Sequence, residues 1–264
     1  EGETLLELLK SGEPMVAMVA PSFPIVFDPE KITGELKLAG FQEVVEVTAG
    51  AKRTNEMLLT ALKENEKARF ITGPCPSMVR MIRTKYPQAL DYLAMQIDSP
   101  MAATARIVMD KFPGKKPVFI GPCLAKRFEA AEDHPELNIL CVTYKDVQQI
   151  FKELGIEEGM VVKKVPFDIE EESTRLYPFS GGLAQSSGVK EILSDDQIEV
   201  VSGWKNGEAA LERFLGSNQV RLLDILFCEG GCVNGPGIAS TLTIDERRKK
   251  VTDYWEKQLQ PELK

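Results

Sequence analysis

No stretch of this sequence stays apolar for the roughly 18 residues that a membrane-spanning helix needs. The longest candidate, residues 15–26, is interrupted by Pro21 and Pro24. Positive charge is also short: Lys and Arg number 32 against 40 Asp and Glu, a formal net charge of −8. Such a chain lacks the electrostatic footprint of a nucleic-acid or anionic-membrane binder. The first residues, EGETLLELLKSGE, are acidic and amphipathic, with no basic segment ahead of an apolar one, so no secretory signal is read there. They lack an initiator Met, and the last residues form a charged helical pattern, which suggests a piece of a larger protein or a processed terminus. No period of about 20 to 50 residues repeats, and no segment is low in complexity. Cysteine is sparse: Cys75, Cys123, Cys141, Cys228 and Cys232. An odd, scattered set argues against a disulfide framework and for a reducing, cytoplasmic setting. Buried packing, metal ligation and catalysis remain.

What the chain does have is a core-sized share of hydrophobic residues, 43%, enough for one large domain or two lobes. Apolar runs alternate with amphipathic segments. Residues 15–20 (MVAMVA) read as a buried strand, 29–39 as a helix ended by Gly40, and 43–47 as a strand. A helix over 55–66, a strand over 69–72 and a helix over 77–85 follow. Residues 99–111 read as a helix with Ser99 as N-cap and Pro100 in the first turn. Further strands are expected at 118–120, 139–142 and 222–227, and helices at 146–154 and 244–259. Residues 155–175 are expected to be a surface excursion, and 180–188 (SGGLAQSSG) a small-residue loop, either one that lets backbone approach a ligand or a plain flexible turn. The alternation predicts an α/β fold: mostly parallel sheets flanked by helices, in two lobes, with a site in the cleft at the carboxyl ends of strands. The expected partition puts residues 13–73 with 178–264 in one lobe and 74–177 in the other.

Three cysteine segments share one feature: each cysteine follows a predicted strand and opens a turn or helix. They are Thr72-Gly-Pro-Cys75-Pro, Gly121-Pro-Cys123-Leu-Ala-Lys126-Arg-Phe-Glu129, and Leu226-Phe-Cys228-Glu-Gly-Gly-Cys232-Val-Asn-Gly-Pro-Gly237. Strand ends of an α/β sheet meet at one crevice, so Cys75, Cys123, Cys228 and Cys232 can converge there. Thiolates are soft ligands that suit a 4Fe–4S cluster, zinc or copper(I). Zinc sites usually draw their cysteines as two close couples, which Cys75 and Cys123 do not form. Glycine would let backbone N–H groups approach cluster sulfurs, and helix N-termini after Cys75 and Cys123 would favour thiolate charge. Cys141, inside an apolar strand, reads as core.

These segments resemble, in order and spacing, the three signature motifs found in the C-terminal domain of the iron-only hydrogenase large subunit: T-S-C-C-P, M-P-C-x-x-K-x-x-E and M-A-C-x-G-G-C-x-x-G-G-G. Ala20-Pro21-Ser22 and Ser99-Pro100 also fit, and the resemblance runs from about residue 13 to 240. It implies an H-cluster: a 4Fe–4S cubane on Cys75, Cys123, Cys228 and Cys232, with Cys232 bridging to a two-iron subsite carrying CO, cyanide and a dithiolate. Lys126 would donate to one cyanide, and Ser22 and the backbone at Pro21 would hold the other, with Ser99 and Pro100 also at the cofactor. Glu129 reads as an orienting partner or a surface carboxylate rather than as an acid or base. The expected reaction is H2 to protons and electrons, with an electron-transfer iron–sulfur domain or ferredoxin as partner and a downstream signalling domain.

Three departures separate this chain from the family pattern. The relay cysteine's position holds Pro74, which can neither take nor give a proton. Two methionines are replaced by Gly121 and Leu226, and the relay carboxylates fall near Met57 and Leu58, with Glu56 one position away. This pattern is similar to the sensory hydrogenases, and implies slow H2 conversion. The alternative is a non-catalytic 4Fe–4S protein similar to the hydrogenase-like cluster-assembly factors. His134, in a Glu-Asp-His-Pro loop, is expected to face solvent, and Trp204 and Trp255 to pack.

Overall fold

The computed structural model describes residues 1–156, 160 and 162–259. Among these residues seven strands form two sheets: β1 (Met15–Val19), β2 (Glu43–Glu46), β3 (Phe70–Ile71), β4 (Lys116–Gly121), β5 (Leu140–Thr143), β6 (Ile198–Ser202) and β7 (Leu222–Leu226). One sheet has the order β2-β1-β4-β5, the other β3-β7-β6, and every pairing is parallel. The helices are α1 (Gly2–Ser11), α2 (Ile32–Ala39), α3 (Thr48–Glu64), α4 (Pro76–Lys85), α5 (Pro100–Lys111), α6 (Lys126–Phe128), α7 (Tyr144–Glu153), α8 (Gly182–Ser186), α9 (Trp204–Gly216) and α10 (Ile244–Leu259).

β1 and β7 are buried along their whole length, as expected of central strands covered on both faces. β6, half-exposed, is the edge of its sheet. α5 lies against β1 and β4, and α3 lies against α5. Leu58 and Leu62 of α3 also pack with Leu183 of α8 and Leu222 of β7, so α3 ties the two sheets together.

The strands divide differently from the expected lobes. β4 and β5, placed in the 74–177 lobe, complete the sheet of β1 and β2, and β3 pairs with β7. The chain crosses between sheets three times, because a parallel neighbour need not be a sequential one. The 155–175 excursion is also more than surface; residues 157–159 and 161 of it lie outside the described residues. Ile169 bridges to Val45 beside β2, and Arg175 is wholly buried on the equally buried Glu46 at 3.0 Å, with its guanidinium over the Tyr254 ring. No helix among the described residues is long and apolar enough to cross a membrane.

Candidate metal centre

All three cysteine segments leave the carboxyl ends of strands. β3 runs into Thr72-Gly-Pro-Cys75, and Pro76 opens α4 at once. A residue before proline is confined to extended backbone, and Cys75 sits there at φ −101°, ψ 99°, as the N-cap of α4. β4 ends at Gly121, two residues before Cys123, and α6 begins at Lys126. β7 ends at Leu226, and Cys228 and Cys232 follow in a turn with Gly230 and Gly231 at positive φ.

The four thiols share one electrostatic neighbourhood. Burial pushes Cys75 up, against backbone N–H groups of Phe227, Met78 and Ser77 that would favour its anion. The helix N-terminus therefore helps, as expected, but burial wins. Cys123 is pushed up by burial and then by Cys75, and Cys228 to about 11 by burial, Cys75 and Cys123. Cys232 is raised well above an ordinary thiol by burial and by all three others. Cys141 stands apart: it is buried, its Sγ reaches Lys126 O at 3.4 Å and Met101 Sδ at 3.6 Å, and burial raises it to about 12. Among the described residues no three His, Cys, Asp or Glu side chains are grouped to hold a single metal ion. A tetrahedral zinc would need its thiolates at about 2.3 Å.

Several glycines have a purpose within the protein itself. A Cβ on Gly231 would stand 2.4 Å from Pro178 O, and one on Gly235 would stand 2.6 Å from Pro122 O. A Cβ on Gly182 would stand 2.2 Å from Leu176 O. They let protein backbones close on one another, and hydrogen bonds seal the contacts: Cys232 N to Pro178 O at 2.7 Å and Gly237 N to Pro122 O at 2.8 Å. The third cysteine segment is thereby fastened to the second. The 180–188 segment is not a plain loop, since it folds into α8.

Beside the thiols lies a cavity of about 80 Å³. Cys123, Cys232, Lys126, Pro74, Pro21, Ser22 and Pro100 all line it. Ser99 stands behind this wall: it caps α5 by accepting from Ala102 N, donates to Glu129, and accepts from Lys126 Nζ at 3.1 Å. Lys126 Nζ also donates to Pro74 O at 3.1 Å and Glu129 Oε2 at 2.6 Å. Burial alone would lower the Lys126 pKa, but the Glu129 carboxylate and the Cys123 and Cys232 thiols hold it above the ordinary value. Glu129 is thus the buried counter-charge of Lys126. Ser22 is likewise engaged: Tyr144 donates its proton to Ala20 O, so Ser22 Oγ donates to the Tyr144 oxygen at 2.8 Å. A cavity ligand that draws on Lys126 or Ser22 has to displace a protein acceptor.

Where the family pattern places a methionine, the Phe119 ring takes up the space beside Gly121, 2.5 Å from where a Cβ would be, and lines the cavity. Three polar residues of the site escaped the sequence reading. Asp224 and Tyr177 line the cavity, and Tyr144 supports Ser22 from behind. A carboxylate inside the apolar run Leu-Leu-Asp-Ile-Leu was the available signal for Asp224. His134 does not simply face solvent: it is half-buried and, with Glu129 and Ser99, borders a small second pocket. Trp204 is 43% exposed at the start of α9.

Removing Glu129 tests the Lys126 pairing. A buried ammonium without its counter-charge typically costs about 3–5 kcal/mol. Glu129→Ala is expected to lower the unfolding free energy in urea by about that amount, and Lys126→Met in the same chain to restore most of it. A Glu129→Ala protein within about 0.5 kcal/mol of wild type would show the pair to be solvated rather than buried.

Comparison with known proteins returns one consistent group. The family model described as "Iron only hydrogenase large subunit, C-terminal domain" matches residues 13–236. Iron hydrogenase 1 of Clostridium pasteurianum is 22% identical over 262 residues, covering 78% of this chain and 45% of that protein. A probable cytosolic Fe–S cluster assembly factor of Brugia malayi is 23% identical over 261 residues, covering 80% of this chain and 58% of that one. The chain therefore spans about half the length of these curated relatives. A solved FeFe-hydrogenase variant from Chlamydomonas reinhardtii superposes with a TM-score of 0.69 at 18% identity, over 99% of this chain and 94% of that chain. At that identity the likeness speaks for the fold.

Proposed function

Because the chain belongs to the family formed by the C-terminal domain of the iron-only hydrogenase large subunit, we propose that it is a hydrogenase-like domain that binds H2, or converts it slowly to protons and electrons, at an H-cluster, and acts as a sensor. Cys75, Cys123, Cys228 and Cys232 would hold a 4Fe–4S cluster, and the cavity would take a two-iron group with CO, cyanide and dithiolate ligands. That group supplies the site at which H2 is bound and electrons are exchanged.

One observation carries this reading: four thiols that follow three strand ends lie within electrostatic reach of one another, and two of them, Cys123 and Cys232, line a cavity whose wall also presents a buried cation, Lys126, and a buried hydroxyl, Ser22. The donor set is soft, as iron–sulfur clusters require. A buried ammonium is a donor suited to an anionic ligand. Lys126 would hold such a ligand by turning one N–H from Pro74 O or Ser99 Oγ, while Glu129 keeps the ammonium charged. Ser22, released from Tyr144, would donate to a second such ligand. Apolar neighbours such as Phe119, Met101 and Leu226 keep water from the remaining wall. Pro74 supports the slow, sensory part of the reading, since it presents no titratable group at the family's relay position. Electrons would pass to an iron–sulfur domain or ferredoxin, and the state of the site to a signalling domain downstream, in the cytoplasm.

A second reading has its own support. The likeness to a cluster assembly factor, and donors already satisfied by protein acceptors, favour a non-catalytic 4Fe–4S protein. Infrared spectroscopy on anaerobically matured protein, with iron and sulfide analysis, separates the two. CO and cyanide bands are expected. Iron and sulfide without those bands would leave the second reading, and protein without iron would overturn both.

A further inference from the structure

A carboxylate in the middle of a buried strand calls for a reason. Strand alternation divides β7 between two environments: Leu223 and Ile225 pack in one apolar cluster, whereas Leu222 packs with Leu58, Leu62 and Leu183 in another. Asp224 shares the Leu222 side and reaches the cavity wall with Leu226, Tyr177 and Pro74. It is 3% exposed. Its Oδ2 accepts from Ala184 N at 3.2 Å, in α8, and no cation pairs with it among the described residues. Tyr177, which also lines the cavity, buries a hydroxyl that has no hydrogen-bond partner among the described residues. An unpaired buried carboxylate costs stability in its charged form, and burial raises Asp224 to about 6 despite the Ala184 and Thr72 hydrogen bonds.

We propose that Asp224, assisted by the Tyr177 hydroxyl, is the group that takes protons from this cavity and returns them to it, in place of the thiol that Pro74 removes. The proposal rests on the H2 reading given above. Splitting one H2 releases two protons and two electrons. The two electrons would pass, one at a time, to two equivalents of a one-electron iron–sulfur acceptor, and each proton would add in turn to an Asp224 Oδ, making a neutral carboxyl that releases it before the next arrives. A carboxyl that titrates near neutrality can do both steps, which the Lys126 ammonium, held above its ordinary value, does poorly.

The surroundings leave few competitors. From β3 comes Thr72, and from α8 only backbone. α9 meets β7 through its buried face of Gly207, Ala210 and Phe214, and β6 brings Glu199, already paired with Arg213. The other titratable groups that line the cavity are Tyr177, Lys126, Cys123 and Cys232.

Two measurements test this. In metal-free protein, isotope-edited carboxyl spectra should show a carboxyl that titrates near pH 6 and disappears in Asp224→Asn. In matured protein, Asp224→Asn should keep the wild-type CO and cyanide bands, lose turnover by about 10²-fold, and lose the inflection near pH 6. Asp224→Glu, still titratable, should recover part of both. Asn retains an oxygen for Ala184 N, so a purely capping role predicts little change. Intact infrared bands with unchanged turnover and pH profile in Asp224→Asn would overturn the proposal and leave the H2 reading standing. A wild-type protein without CO and cyanide bands would overturn the H2 reading and this proposal with it, even if Asp224 titrates as expected.

Discussion

Protein carrying Cys123→Ser will come out of anaerobic reconstitution with most of its iron and sulfide missing, and Cys228→Ser will behave alike. Cys141→Ser will keep the wild-type content. Serine is close in size to cysteine but offers a hard, weakly acidic hydroxyl where a soft thiolate is wanted. Even a group that merely orients a ligand is typically worth about 10–100-fold in metal affinity, so losing a ligand itself should cost at least that. The comparison with Cys141 is what makes the test sharp. All five cysteines are free; the proposed ligand Cys75 is as buried as Cys141, while Cys123, Cys228 and Cys232 are half-buried. Burial alone therefore does not pick out ligands. What distinguishes the four is that they feel one another's charge, while Cys141 contacts Met101 and the Lys126 carbonyl. Undiminished iron and sulfide in Cys123→Ser would remove the cluster assignment. Equal losses in Cys141→Ser would show the iron to depend on packing rather than ligation.

The elements that could be read from sequence were those whose cause is local. β1 is a run of apolar residues and is buried throughout. α5 begins where Ser99 and Pro100 announce it, because a capping oxygen and a first-turn proline act over three residues. Gly40 ends α2 with its positive φ. The misses came from distant contacts. α3 starts at Thr48, seven residues before its expected first residue, because Gly50 looks like a helix breaker. The structure explains that glycine: a Cβ there would stand 2.2 Å from Thr104 Oγ1 and 2.3 Å from Pro100 O, so the α3–α5 crossing requires its absence. β6 is a half-exposed edge with no clean alternation, and α9 carries Gly207 where Met78 and Ile225 press on it.

The candidate site follows the same division. Three of its parts are short motifs, with cysteine, lysine and acid at fixed offsets, and these were legible as a group. Asp224, Tyr177 and Tyr144 belong to no motif. They come from β7, from the segment before α8 and from the start of α7, and only the crossing of chain between two sheets makes them neighbours. The purpose of Glu129 was half legible. An orienting partner was one of its two readings and a surface carboxylate the other; its offset of three residues from Lys126 permits contact on one helical turn but does not tell that both groups are buried.

Turnover of H2 by matured wild-type protein is expected to be low, and Pro74→Cys to raise it. General acid–base assistance is typically worth about 10²–10⁴-fold, which sets the deficit relative to a complete relay. A thiol at position 74 would project from the cavity wall that Pro74 now lines. The substitution is structurally favourable. Pro76, not Pro74, opens α4 and holds Cys75 in extended backbone, and the bond that Pro74 makes to Lys126 uses its carbonyl, which every residue has. The gain should be partial, because a thiol alone does not reach solvent. Of the two positions near the family's relay carboxylates, only one can accept an acid. Leu58 is 1% exposed in the cluster with Leu183 and Leu222, where a glutamate would be buried without a partner. Met57 is half-buried on the next position of α3. Met57→Glu added to Pro74→Cys should therefore raise H2 evolution further, while Leu58→Glu should lower stability instead. The infrared bands must stay intact in each variant for the rates to be compared. If the wild type, with those bands present, already turns over as fast as a relay-containing hydrogenase, then Pro74 is no barrier and the sensory assignment that leans on it is wrong.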